Sequence, residues 1–123
     1  MKVTLLLEDV CDALMMIKYI LEDVGYQVVS FSDIIPVNQI IGINPDIILI
    51  DHRLRSGSGA ELCSELKANP LFENVPIVLI STDPEISSIA NDSYADAYIA
   101  KPFGIEDLIH AVCLVDGDRV VYL

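Results

Sequence analysis

The chain has 123 residues, within the usual size of one domain, and 53% of them are hydrophobic, enough apolar side chain to close a core. A balance of 7 Lys and Arg against 19 Asp and Glu leaves a net charge of -12, which repels phosphate backbones and anionic lipid and argues against direct nucleic-acid or membrane binding. Cys11, Cys63 and Cys113 are odd in number and lack C-x-x-C spacing, so reduced structural thiols of a cytoplasmic protein are expected.

The chain opens on Met1-Lys2 and a short apolar run, Val3 to Leu7, closed by Glu8 and Asp9. The run is too short for a signal-peptide core, no apolar stretch approaches the ~20 residues of a membrane span, and the segment reads as a first strand. Leu14, Ile17, Leu21 and Val24 then share one helical face, and Gly25 follows as a stop. A second strand reads from Tyr26 to Phe31; Asp33 is suited to cap a second helix and Gly42 to end it. Asp46 to Ile50 is a third strand, and its run Ile47-Ile48-Leu49-Ile50 means cover on both faces, as in a parallel sheet.

Beyond Asp51, Leu62, Cys63 and Leu66 mark a third helix. Val75 to Ile80 is a fourth strand ending at Ser81-Thr82, and Asp83-Pro84 has the cap-then-proline order of a helix start. Ala95 to Ala100 is a fifth strand, followed by Lys101-Pro102 and a helix with Ile105, Leu108, Ile109 and Val112 on one face. Strand and helix alternate throughout, which predicts an α/β fold: a doubly wound five-stranded parallel sheet with helices on both faces. Only residues 116–123 fall outside the scheme; an extra strand, a packed extension and an interaction surface all remain open for them.

In an open parallel sheet, ligands bind beyond the carboxyl ends of the strands, where the strand order reverses. There the chain would gather Glu8 and Asp9, Asp51, Ser81 and Lys101 on one edge. Three packed acids raise one another's pKa unless a cation sits among them, and Mg2+, a hard ion that prefers oxygen ligands, is the natural one. One carboxylate can then attack phosphorus, with Ser81 as hydrogen-bond donor and Lys101 as compact positive charge for the phosphoryl oxygens.

These residues resemble a bacterial two-component response-regulator receiver domain over about residues 2–115. The matching motifs are Leu7-Glu8-Asp9, Ile48-Leu49-Ile50-Asp51 with Gly59 eight residues on, Ile80-Ser81, and Lys101-Pro102-Phe103. The resemblance implies a single receiver domain over 1–123, a flavodoxin-like strand order 2-1-3-4-5, and Asp51 as phosphoacceptor. It implies Glu8, Asp9, Asp51 and the main-chain carbonyl of Arg53 as Mg2+ ligands, Lys101 as the phosphate-binding lysine, and Ser81 and Tyr98 as switch residues. It also implies a cis Lys101-Pro102 peptide, made feasible by the proline. The expected partners are a histidine kinase or phosphotransfer protein as donor, and a downstream effector or second copy on the face near Tyr98, Pro84 to Asn91 and Ile105 to Val112.

Two positions depart from the family pattern: Arg55 stands where proline is usual, leaving the loop less rigid and more basic, and Thr82 replaces a smaller residue. Bland alternatives stand beside several assignments. Ser81 can satisfy its own loop backbone, Tyr98 can be an ordinary packed strand tyrosine, and Asp83 can cap its helix while Arg53 extends into solvent, instead of the two pairing. His52 and His110 lack partners at zinc spacing and read as plain histidines. A docking module on the same fold without phosphotransfer is the functional alternative. An aspartate-nucleophile phosphatase is disfavoured because its second acid would fall at Arg53, and a flavodoxin-like FMN carrier because the first loop is acidic.

Overall fold

The structure, a computed structural model, describes residues 2–117. In chain order it runs β1 (Val3–Leu7), α1 (Cys11–Asp23), β2 (Gln27–Phe31), α2 (Val37–Ile43), β3 (Ile47–Asp51), β4 (Arg53–Leu54), β5 (Gly57–Ser58) and α3 (Gly59–Lys67). A 3-10 turn (Pro70–Phe72), β6 (Ile77–Ser81), α4 (Ile86–Asp92), β7 (Ala97–Ala100) and α5 (Ile105–Val115) follow. The five long strands form one parallel sheet in the order β2-β1-β3-β6-β7, while β4 and β5 make a separate small hairpin. Counting only the long strands, this is the expected 2-1-3-4-5.

The two-residue period of the strands divides the core. Leu5, Leu7, Ile48, Ile50, Ile77 and Leu79 point to one side, where they meet Ile40 of α2, Leu62 and Leu66 of α3, and Ile86 of α4. Leu6, Leu49, Val78, Ile80 and Ile99 point to the other, against Ile17 and Leu21 of α1 and Leu108 and Val112 of α5. β3 is buried at every position, as its continuous apolar run requires.

Most element boundaries lie within one or two residues of those read from the sequence. Gly25 has φ 101, a left-handed conformation suited to ending α1. The second helix is different. Pro36 occupies its N-cap, and Asn44, not Gly42, takes the left-handed position after its last turn, at φ 53. Asparagine tolerates that region, so Gly42 stays inside the helix. Asp33 caps nothing in α2; its carboxylate reaches to Ser56 instead. The fourth helix begins two residues later than Asp83-Pro84 suggested: Asp83 accepts the Glu85 amide at 2.9 Å and so caps the turn that leads into α4, while Glu85 holds the N-cap position of the helix.

At the far end of the sheet, α5 finishes on Asp116, which is buried and accepts hydrogen bonds from Tyr26 and from Lys2, each at 2.6 Å. The rest of the C-terminal extension, residues 118–123, lies outside the described residues. Among the described residues no helix is long and apolar enough to cross a membrane.

Candidate functional site

Strand register assembles the site. β2 lies on one side of β1 and β3 on the other, so the order reverses at the β1/β3 junction. Leu7 is level with Ile50, which brings Glu8 level with Asp51. Asp51 is level with Ile80, and Ser81 with Ala100, so Ser81 and Lys101 follow one step further across the sheet. Backbone bonds hold these ends in line: the His52 amide donates to the Ile80 carbonyl at 2.8 Å, and the Lys101 amide to the Ser81 carbonyl at 2.8 Å.

Four charged groups meet there. Carboxylate oxygens of Glu8, Asp9 and Asp51 all lie within 4.8 Å of one another. The Lys101 ammonium stands 2.5 Å from Glu8 Oε1 and 3.1 Å from Asp51 Oδ2. Glu8 is fully buried, Asp51 is 6% exposed and Asp9 half-buried. Burial, and then the adjoining Asp51 carboxyl, push the Glu8 pKa up to about 7, against the lowering influence of Lys101. Burial opposes the charge on Lys101, but Glu8 and Asp51 outweigh it and hold the ammonium above the ordinary lysine value.

One ammonium cannot balance three carboxylates. The donor set, all oxygen and in excess of local positive charge, fits a hard divalent cation such as Mg2+. Among the described residues this is the one group of acids or histidines close enough to hold a metal. His52 and His110 belong to no such group; His52 Nδ1 is buried without a hydrogen-bond partner.

Of the remaining sequence candidates, Ser81 and Arg53 border this edge and Tyr98 does not. Ser81 is buried, and its hydroxyl oxygen accepts the Asp83 amide at 2.9 Å, the local bond that stood as the alternative to its switch role. Its hydroxyl hydrogen is left to reach another acceptor. Arg53 approaches Asp51 through its amide, 3.4 Å from Oδ1, and through its guanidinium it reaches Asp83 at 3.0 Å. The Lys101-Pro102 peptide is cis. Tyr98 is turned outward and 45% exposed, on the rim of a cleft of about 390 Å³ shared with Phe103, His110 and Leu114.

Sequence reasoning treated Gly59 only as a motif residue, and the structure shows why nothing larger fits. A Cβ on Gly59 would lie 2.1 Å from the Asp51 carbonyl oxygen and 2.6 Å from Ile50 Cγ2, so the start of α3 presses on the backbone of Asp51 itself. The loop with Arg55 forms a hairpin: Arg53 pairs with Ser58 and Leu54 with Gly57, and Asp33 accepts a hydrogen bond from the Ser56 amide in its turn. The role of Asp33 left no signal beyond an aspartate before a helix, which reads equally well as a cap.

The sheet order, with carboxylates at its switch point, is that of flavodoxin-like α/β domains. Within that class the family model of the response regulator receiver domain matches residues 4–113, and the chain belongs to that family. The phosphate regulon transcriptional regulatory protein PhoB of Escherichia coli (strain K12) is 32% identical over 108 residues, which cover 85% of this chain and 47% of PhoB. The chain thus spans about half the length of such relatives. The signal receiver domain of a histidine kinase from Syntrophus aciditrophicus superposes with a TM-score of 0.83 at 26% identity, covering 99% of this chain and 96% of that one. Thermotoga maritima TrrA, solved in complex with Mg(2+)-BeF, shares the fold at a TM-score of 0.83 and 22% identity, over 94% of this chain and 99% of its own.

Proposed function

We propose that this receiver domain is the phosphorylation-dependent switch of a two-component phosphorelay, with Asp51 as phosphoacceptor and a partner phosphohistidine as donor. One observation carries the reading: the Asp51 carboxylate stands 3.1 Å from the Lys101 ammonium and beside the carboxylates of Glu8 and Asp9. In the transfer, an Asp51 oxygen bonds to phosphorus while the bond from phosphorus to the donor's imidazole nitrogen breaks, and that nitrogen keeps the electron pair. Lys101 meets the charge of the incoming phosphoryl oxygens, and Ser81 turns its hydroxyl hydrogen toward one of them. Glu8, Asp9, Asp51 and the main-chain carbonyl of Arg53 would hold Mg2+, which when bound offsets the charge gathered on the transferred group. The same site would give Mg2+-dependent autophosphorylation from small phosphodonors and autodephosphorylation.

The output follows from Ser81. Leaving the Asp83 amide for the phosphoryl group opens space toward β7, which Tyr98 fills by moving inward, a shift between two packings of one face. That face, with α4 and α5, is the surface for an effector protein or a second copy.

Mass spectrometry after acetyl phosphate treatment tests the acceptor. One phosphoryl group on the wild type with Mg2+, and none on Asp51→Asn, is the expected result; uptake by Asp51→Asn at the wild-type rate refutes the assignment. A docking module without phosphotransfer, the alternative, shows no Mg2+-dependent modification at all. Lys101→Ala is expected to accept the phosphoryl group yet lose the amide shifts around Tyr98.

A further inference from the structure

The hairpin after Asp51 is too small to hold its own shape. β4 and β5 supply two residues each, and even longer isolated hairpins are marginal in water. Its geometry therefore comes from its contacts. At the neck, the Gly59 amide donates to the His52 carbonyl at 2.7 Å. At the floor, Leu54 is buried in the core, and Gly57 lies so near Ile34 that an added Cβ would sit 3.0 Å from its Cδ1. At the tip, Asp33 reaches over from the loop between β2 and α2: Oδ1 accepts the amides of Ile34 at 2.8 Å and Ser56 at 3.0 Å, and Oδ2 accepts the Ser56 hydroxyl.

We propose that Asp33 is a positioning residue of the Asp51 site: by pinning Ser56 it sets the path of the hairpin strand that carries Arg53. The inference rests on the function proposed above, because the metal at Glu8, Asp9 and Asp51 is what gives the Arg53 carbonyl a chemical task. Ser56 is three residues from Arg53, and the Arg53-Ser58 and Leu54-Gly57 pairs join the two strands between them. The tip and Arg53 are thus linked through two paired positions, with the neck and floor contacts holding the rest of the hairpin in place. A carboxylate is suited to the work, since an ionised acceptor makes shorter and stronger hydrogen bonds than a neutral one. Ser56, through its hydroxyl and then its amide, holds the Asp33 carboxyl below the usual carboxylate range, so it stays charged near neutral pH. Where proline would stiffen this turn, a bond from a separate loop does so here.

The test is an NMR titration of the whole chain with Mg2+ alone, alongside thermal melting, for wild type, Asp33→Ala, Ser56→Ala, the double variant and Asp33→Asn. In wild type the amides of residues 8, 9, 51 and 53 shift with Mg2+. Asp33→Ala weakens Mg2+ binding by about tenfold, the low end of what removing a ligand's supporting partner costs, and Ser56→Ala, which loses the hydroxyl bond but keeps the amide bond to Asp33, weakens it by a smaller factor. The double variant is no worse than Asp33→Ala alone, because Asp33→Ala already removes both bonds to Ser56, and Asp33→Asn, which keeps an acceptor oxygen, recovers part of the affinity. Ser56 is exposed at the tip of the hairpin, so its variant folds even if Asp33→Ala does not. Wild-type Mg2+ affinity in Asp33→Ala, or in Ser56→Ala should Asp33→Ala not fold, overturns the inference and leaves the proposed function standing. A wild-type chain that shows no Mg2+ response brings down the proposed function and this inference with it.

Discussion

The Arg53 guanidinium donates to Asp83 Oδ2 at 3.0 Å, joining the loop after β3 to the loop after β6 beside Asp51. Asp83 meanwhile accepts the Glu85 amide on Oδ1 at 2.9 Å. Of the two alternatives read from the sequence the ion pair is the one formed; Asp83 caps the turn before α4 and not the helix itself, whose N-cap is Glu85. The Glu85 amide first, and the Arg53 guanidinium after it, hold the Asp83 carboxyl below its ordinary value.

The pair is expected to matter for rate more than for stability. The Arg53 side chain is 75% exposed, and an exposed ion pair contributes about 1 kcal/mol or less. Under the proposed function, a water hydrolysing phosphorylated Asp51 would approach past this pair, and the same 1 kcal/mol in that barrier is about fivefold in rate. Arg53→Ala should therefore melt near the wild type yet lose its phosphoryl group several-fold faster; equal lifetimes, followed by mass spectrometry, would show the pair to be decorative.

Gly59→Ala is expected to be far more costly than an exposed helix-start substitution. The added methyl meets backbone, the Asp51 carbonyl oxygen at 2.1 Å, and backbone cannot rotate away as a side-chain tip can. Forced shifts of this kind in a packed interior cost about 1–3 kcal/mol, and here they displace Asp51 as well. A lowered urea midpoint together with weaker Mg2+ shifts at Asp51 is the expected pair of results, and a midpoint at the wild-type value contradicts it.

The cysteines should separate by reactivity. Cys63 is fully buried among the core residues of α3, and burial pushes its thiol up to about 11, so neither access nor thiolate is available at pH 8. Cys11 is exposed. A thiol reagent at pH 8 should label Cys11 in the native chain and Cys63 only in urea; native labelling of Cys63 at the rate of Cys11 would mean that α3 opens readily.

Asp33 gives a pH dependence of defined sign. Its carboxyl is held below the usual range in the folded chain, by the Ser56 hydroxyl and amide, so its contribution is fully present above the unfolded value of 3.8 and disappears as pH falls through the folded one. The stability advantage of wild type over Asp33→Ala should be constant between pH 5 and 7 and shrink as the pH falls below about 4. Urea midpoints across that range measure it, and an advantage that grows toward acid would reverse the assignment.

The alternation of strand and helix, the buried central strand and the acids, hydroxyl and lysine at the strand ends are all determined by the amino-acid sequence itself. Each is a local property: Ile47 to Ile50 can only be covered on both faces, and residues that end neighbouring parallel strands must gather on one edge. The tertiary structure decided what depends on contact between distant segments. Asp33 stands before a helix and carries the local signature of a cap, but its carboxylate bonds Ser56, 23 residues away. Gly42 looks like a helix stop, yet Asn44 takes the left-handed turn. Arg53 and Asp83 are 30 residues apart, and whether they meet depends on how two loops leave adjacent strands. Hydrophobic period and turn chemistry act over a few residues, whereas the choice of partner for a charged side chain is made only once the sheet has closed and brought its loops together.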